Sequence, residues 1–166
     1  PTPTPTPTPT PLPMAVMGWS HGGSAVLSTT DATHAEVQAL PVAARPRAAI
    51  AFYPGCVASL RSGYKPLAPL TLLLGADDDW TAPGQCVELG QRVGADVHLY
   101  PGAHHGFDGP VGQVRHLANV PNGVNPGKGV HVGPNPAARD AAHKQVRQVL
   151  DAAFAPGSNG PGGPAR

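Results

Sequence analysis

Four short, largely apolar runs separated by helical patterns limit what this chain can fold into more than any other feature. They are Met14 to Met17, Ala48 to Tyr53, Leu70 to Leu74 and Ala95 to Tyr100. The second and third are bounded by Pro and Gly and suit strands buried on both faces, which is how strands read in a parallel sheet covered by helices. Met14 to Met17 reads as the end of a buried strand, and Ser24 to Ser28 as the start of a helix beyond a glycine-rich turn. A helix is expected from Pro83, a residue suited to a first turn, with Cys86, Leu89 and Val93 sharing one side and Gly94 as terminator. Ala138, Ala142, Val146, Val149, Leu150 and Phe154 recur at three-to-four-residue spacing and predict a closing helix that packs on the sheet. Residues Asn119 to Pro136 hold Pro and Gly throughout with no strong period, and a long surface loop is expected there.

The chain is therefore read as α/β, with its organisation set by where Pro and Gly concentrate. The 22 Pro and 21 Gly are about a quarter of 166 residues, near the range of low-complexity sequence. Residues 1–13 alternate Pro with Thr, whose fixed φ angles and missing amide donors favour an extended spacer. Residues 157–166 form a second Gly/Pro-rich run and are expected to be a disordered tail. One domain over residues 14–156 remains. Its first strand starts almost where the spacer stops, so its N-terminal strands are expected to be missing.

Composition removes several classes of function. A net charge of +1 from 11 basic and 10 acidic side chains gives no basic field able to hold a phosphate backbone, so nucleic acid is not an expected partner. No apolar run approaches the roughly 20 residues of a membrane span, and no cationic stretch followed by an apolar one opens the visible chain. A monomer acting on a small molecule is expected.

Chemistry concentrates in three islands. Gly18-Trp19-Ser20-His21-Gly22-Gly23 is a G-x-S-x-G pattern between a strand and a helix. Glycines flanking the serine permit a sharp turn that lifts its hydroxyl above the sheet, and the helix then points its amino end at the reacting centre. The backbone N–H of His21 would be one donor to an oxyanion. A capping serine in an ordinary turn is the plain alternative. A serine nucleophile needs a base and an orienting acid, which on such sheets follow in the order Ser, acid, His. Asp77, Asp78 and Asp79 follow the run Leu70 to Leu74, at the strand end where sites collect. Asp78 is the chosen acid, Asp79 its competitor, and Asp77 reads as a solvated loop residue. His105, in the loop after Ala95 to Tyr100, is the chosen base. A metal reading of His104, His105, His116 and His131 lacks any recognised ligand spacing, and Gly123 to Gly129 with Lys128 lacks the spacing of a phosphate loop. No metal and no cofactor are expected.

With these motifs in hand, the chain resembles the dienelactone hydrolase family of α/β-hydrolases from about Ala15 to Phe154. The resemblance rests on G-W-S-H-G-G at Gly18 to Gly23, F-Y-P-G-C at Phe52 to Cys56, D-D-W-T at Asp78 to Thr81, and Y-P-G-A-H-H-G-F-D at Tyr100 to Asp108. The segment Gly129-Val130-His131-Val132-Gly133 resembles the family's ending. The resemblance implies a partial α/β-hydrolase fold and ester or lactone cleavage through an acyl-enzyme on Ser20, with His105 as base and Asp78 as acid. Some members carry cysteine as nucleophile, and serine here departs from them. The loop that supplies the family's second oxyanion donor has no counterpart before Met14, which bears on the activity of this chain. A prolyl oligopeptidase-type serine peptidase shares the elbow and residue order, and a non-catalytic fragment or interaction module on a Pro-Thr linker is the alternative from another class.

Cys56 and Cys86, the only two cysteines, sit just beyond neighbouring expected strands at the carboxyl edge of the sheet. A disulfide between them is expected over two reduced thiols, and with the Pro-Thr spacer it favours an exported protein over a cytoplasmic one.

Overall fold

The computed structural model describes residues 12–156. All but the last two residues of the expected spacer, and the whole expected tail, lie outside them. Strands β1 (Val16–Trp19), β2 (Ala49–Phe52), β3 (Leu70–Gly75) and β4 (Asp96–Tyr100) pair in that order, and every pairing is parallel. Helix α1 (His21–Thr29) and the short α2 (Ala35–Gln38) lie between β1 and β2, α3 (Val57–Ser62) between β2 and β3, and α4 (Pro83–Val93) between β3 and β4. The closing helix is α5 (Pro136–Phe154).

Side-chain alternation along the two central strands divides the core into two layers. Ala49 and Ala51 of β2 and Leu70, Leu72 and Leu74 of β3 pack with Val26 and Leu27 of α1 and Cys86 and Leu89 of α4. Ile50 and Phe52 of β2 and Leu73 of β3 face Ala138 and Ala142 of α5, with Ala103 and Phe107 from the loop after β4. Leu60 of α3 joins the first layer, so the principal crossover helices share one face. A strand order that advances steadily in one direction requires this when all crossovers have one hand.

Helix ends follow the expected chemistry. Pro83 opens α4, and Gly94 closes it in the left-handed region at φ 69°. The Asn135 side chain accepts from the Ala138 N–H at 3.1 Å and caps α5, while its amide donates to the Gly102 carbonyl at 3.0 Å. Helix α1 begins at His21, directly after the serine, rather than at Ser24.

The expected loop from Asn119 to Pro136 needs correction. It contains strand β6 (Val130–Val132), which pairs antiparallel with β5 (Arg115–Leu117). Three residues are too few to show a period, and the partner strand is equally short. An isolated bridge joins Val132 to His105, so the ribbon lies against the loop that follows β4.

Two fastenings hold the loops at either end of the sheet. Buried Asp31, just past α1, accepts from the backbone N–H groups of Thr33 at 3.0 Å and Lys65 at 3.1 Å, tying α1 to the segment before β3. Burial alone would raise its carboxyl, but those hydrogen bonds and nearby His34 hold it below the ordinary value. Cys56 and Cys86 are joined by a disulfide with Cα atoms 5.1 Å apart, linking the start of α3 to α4. The bridge spans a sequence separation of 30 residues, for which the chain-entropy model gives about 3 to 4 kcal/mol. Replacing both cysteines with alanine is expected to lower the unfolding free energy by about that amount. Urea titration of the oxidised chain and the double variant checks it.

Candidate active site

Because the four strands are parallel, their carboxyl ends share one edge, and Ser20, Asp78 and His105 leave from it after β1, β3 and β4. Ser20 sits at φ 53° and ψ −118°, outside the regions an L residue ordinarily occupies. Its N–H donates to the Phe52 carbonyl at 2.9 Å, so the parallel ladder continues through the turn. A Cβ on Gly18 would collide with the Gly22 carbonyl, and one on Gly23 would lie 2.9 Å from the Phe52 carbonyl oxygen. Gly22 itself faces open space, so the close approach of α1 to β1 and β2 requires Gly18 and Gly23. As the first residue of α1, His21 has a backbone N–H with no acceptor inside the helix.

The three side chains stand in line. Nε2 of His105 lies 2.8 Å from Oγ of Ser20, and Nδ1 lies 2.8 Å from Oδ2 of Asp78. An ionised carboxylate only accepts, so the Nδ1 proton belongs to the Asp78 bond. That tautomer leaves the Nε2 lone pair facing the serine hydroxyl. Asp78 is buried and fully engaged: Oδ1 accepts from the N–H groups of Trp80 and Thr81, each at 2.8 Å, and Oδ2 accepts from the Thr81 hydroxyl at 2.9 Å. The Tyr53 carbonyl oxygen, 3.1 Å from the same hydroxyl, is a competing acceptor for its one proton.

Asp79 does not meet His105. Its Oδ1 accepts from the His131 backbone N–H and its Oδ2 from the His131 ring, both at 2.7 Å. Burial would raise the Asp79 carboxyl, but the bonds to His131 more than offset it and hold it below the ordinary value. Asp77 contributes its backbone carbonyl, 2.8 Å from Nδ1 of His104.

Sequence reasoning passed over a second carboxylate. Asp108, three residues past His105, accepts from the Tyr53 hydroxyl at 2.6 Å and from Nε1 of Trp19 at 2.5 Å. Trp19 precedes the serine and Tyr53 directly follows β2, so Asp108 fastens the serine turn, the segment leaving β2 and the histidine loop together. Tyr53 holds φ 35°, and its ring lies 4.6 Å from that of His105, with Trp80 at 4.8 Å. All four residues stand inside the quoted motifs, but spacing alone carries no signal for who bonds whom. An open cleft of ≈ 780 Å³ borders His105 and Trp80, with Val111, Leu117, Val132 and Pro134 among its walls.

No family model matches the chain, and no curated protein matches it. Among solved structures it is similar to esterase PE8, at 20% identity and a TM-score of 0.46, over 82% of this chain and 50% of that one. It is also similar to the carboxylesterase Cest-2923 from Lactobacillus plantarum WCFS1, at 16% identity and a TM-score of 0.51, over 82% of this chain and 57% of that one. The chain carries part of an α/β-hydrolase fold. It spans between half and three-fifths of the length of these two proteins. No helix among the described residues is long and apolar enough to cross a membrane.

Two expectations follow. Asp108→Ala removes two hydrogen bonds to a carboxylate, each of a kind worth about 1.5 to 3 kcal/mol, one of them only half-buried and the other exposed. A loss of about 2 to 3 kcal/mol in urea unfolding is expected, and a smaller loss for Asp108→Asn. The second concerns pH. Burial raises the phenols of Tyr53, Tyr64 and Tyr100, all three tyrosines of the chain, with Tyr100 pushed up to about 12. A raised phenol contributes stability that is complete below the unfolded value of about 10 and is lost as pH climbs through the folded value. Phenolate absorbance is therefore expected to appear above pH 10 together with loss of far-UV circular dichroism, rather than as a separate step near pH 10.

Proposed function

We propose that the chain is the catalytic part of a serine hydrolase that cleaves a carboxylic ester or lactone, of the dienelactone hydrolase type. The observation that carries the reading is the continuous line from Ser20 Oγ through both nitrogens of His105 to Asp78. In the reaction, the Nε2 lone pair of His105 takes the Ser20 proton as Oγ bonds to the carbonyl carbon. Asp78 holds the imidazole in the tautomer that allows this and stabilises the imidazolium that forms. The His21 N–H receives the developing oxyanion. Breakdown expels the alkoxide, which takes the proton back from Nε2 and leaves an acyl-serine. Water attacks that ester with His105 again as base, releasing the acid and restoring the serine.

The cleft beside Trp80 and His105 suits a small, largely apolar acyl or alcohol group, since its walls carry few charges. The similar fold of the carboxylesterase Cest-2923 supports the ester-hydrolase part of the reading. A peptidase reading gains no comparable support.

The direct test is covalent. A fluorophosphonate probe is expected to label the chain at the peptide containing Ser20, and Ser20→Ala to lose the label. His105→Ala is expected to label at least about a thousandfold more slowly, as removal of a triad base does elsewhere. Labelling that persists in Ser20→Ala would remove serine catalysis from consideration.

A further inference from the structure

Beside the line from Ser20 to Asp78, three further side chains able to bind metal meet where three segments cross. Asp79, His104 and His131 each offer one ligand atom, and these atoms lie within 4.8 Å of one another. They come from the loop after β3, the loop after β4 and strand β6, so no spacing in the sequence announces them.

Hydrogen bonds already orient the donors. The Asp77 carbonyl only accepts, so the bond to Nδ1 of His104 puts the proton there and leaves the lone pair on Nε2. A carbonyl behind one ring nitrogen is the usual partner of a metal-bound imidazole, because it fixes both tautomer and ring direction. The His131 N–H holds Oδ1 of Asp79 in the same way. The His116 ring lies 4.9 Å from that of His131, with its Nε2 bonded to the Lys128 carbonyl, and backs the cluster.

We propose that Asp79, His104 and His131 form a site for a divalent transition-metal ion of the zinc class. Two imidazoles and a carboxylate are a donor set that zinc accepts with water in a fourth position, whereas calcium and magnesium prefer oxygen throughout. At metal–ligand bonds of about 2.0 to 2.1 Å, neighbouring donors of a tetrahedral site stand roughly 3.3 Å apart. The widest separation, at most 4.8 Å, must therefore close by no more than roughly 1.5 Å. Side-chain rotation can supply this, because His131 is 46% and Asp79 25% exposed. His131 shifts its proton from Nδ1 to Nε2, and the ion takes the place of that proton against Asp79. Asp79 and His104 adjoin Asp78 and His105, so the ion braces the acid loop, the histidine loop and β6 at once. The site does not depend on the hydrolase reading, and its test does not read activity.

The full chain, stripped with a chelator, is titrated with Zn²⁺ by calorimetry and with Co²⁺ in the visible range. One equivalent of Zn²⁺ is expected to bind, with the d–d absorption of a four-coordinate site for Co²⁺ and a rise in Tm that EDTA reverses. His104→Ala and His131→Ala are each expected to weaken binding by about tenfold or more, while His143→Ala, on an exposed face of α5, leaves it unchanged. Circular dichroism of His104→Ala confirms that the variant is folded. No saturable binding, or binding unaffected in both variants, overturns the proposal. Loss in His105→Ala with retention in His104→Ala also overturns it, because the ion then sits on the histidine of the serine line.

Discussion

Everything at the carboxyl edge depends on the approach of α1 to the ends of β1 and β2. Ser20 can hold its positive φ only because the chain turns sharply back over the sheet, and that turn exists only where Gly18 and Gly23 leave no Cβ in the way. The bond from the Ser20 N–H to the Phe52 carbonyl then fixes the serine against β2 rather than leaving it on a free loop. Strain of this kind costs of order 1 to 3 kcal/mol and persists only where neighbouring contacts over-determine it. Here the neighbours are the parallel ladder below and the Asp108 carboxylate above.

Carboxylates do most of the fastening among the loops. Asp31 binds α1 to the segment before β3, Asp78 binds its own loop to the histidine, Asp79 binds that loop to β6, and Asp108 binds Trp19 and Tyr53 to the histidine loop. Loops leaving parallel strands have no ladder of their own to satisfy their N–H groups, so a side chain with two acceptor oxygens is an efficient substitute. The disulfide adds a covalent tie on the side of α3 and α4. The histidine between Ser20 and Asp78 is thus held by its neighbours as well as by its own two bonds.

The parts of this arrangement legible in the sequence are those encoded locally. Buried parallel strands announce themselves as continuous apolar runs, and Leu70 to Leu74 needed no tertiary information to be read as β3. The closing helix showed its stripe from Ala138 to Leu150, whereas Phe154, expected to continue it, is exposed, and Pro83 and Gly94 marked the ends of α4. Strand β6 did not, because Val130 to Val132 is a strand only by virtue of Arg115 to Leu117 beside it. The roles of Trp19, Tyr53, Thr81 and Asp108 were equally hidden. Each lies in a recognisable motif, yet Trp19, Tyr53 and Asp108 act through bonds across 55 and 89 residues, and pattern reasoning sees only near neighbours.

Asp78 and Asp79 show how far one position in a loop can matter. Their backbones are adjacent and their side chains chemically identical, so sequence left them as competitors. In the structure the loop turns between them: Asp78 points inward, where two backbone N–H groups and the Thr81 hydroxyl hold it against His105, and Asp79 reaches out to His131. The inward carboxylate is buried, and each of its oxygens accepts two hydrogen bonds. The outward one keeps water as an alternative partner. That difference in solvent access lets the outer carboxylate exchange its histidine proton for a metal ion, while the inner one has no room to take a second partner without losing the first.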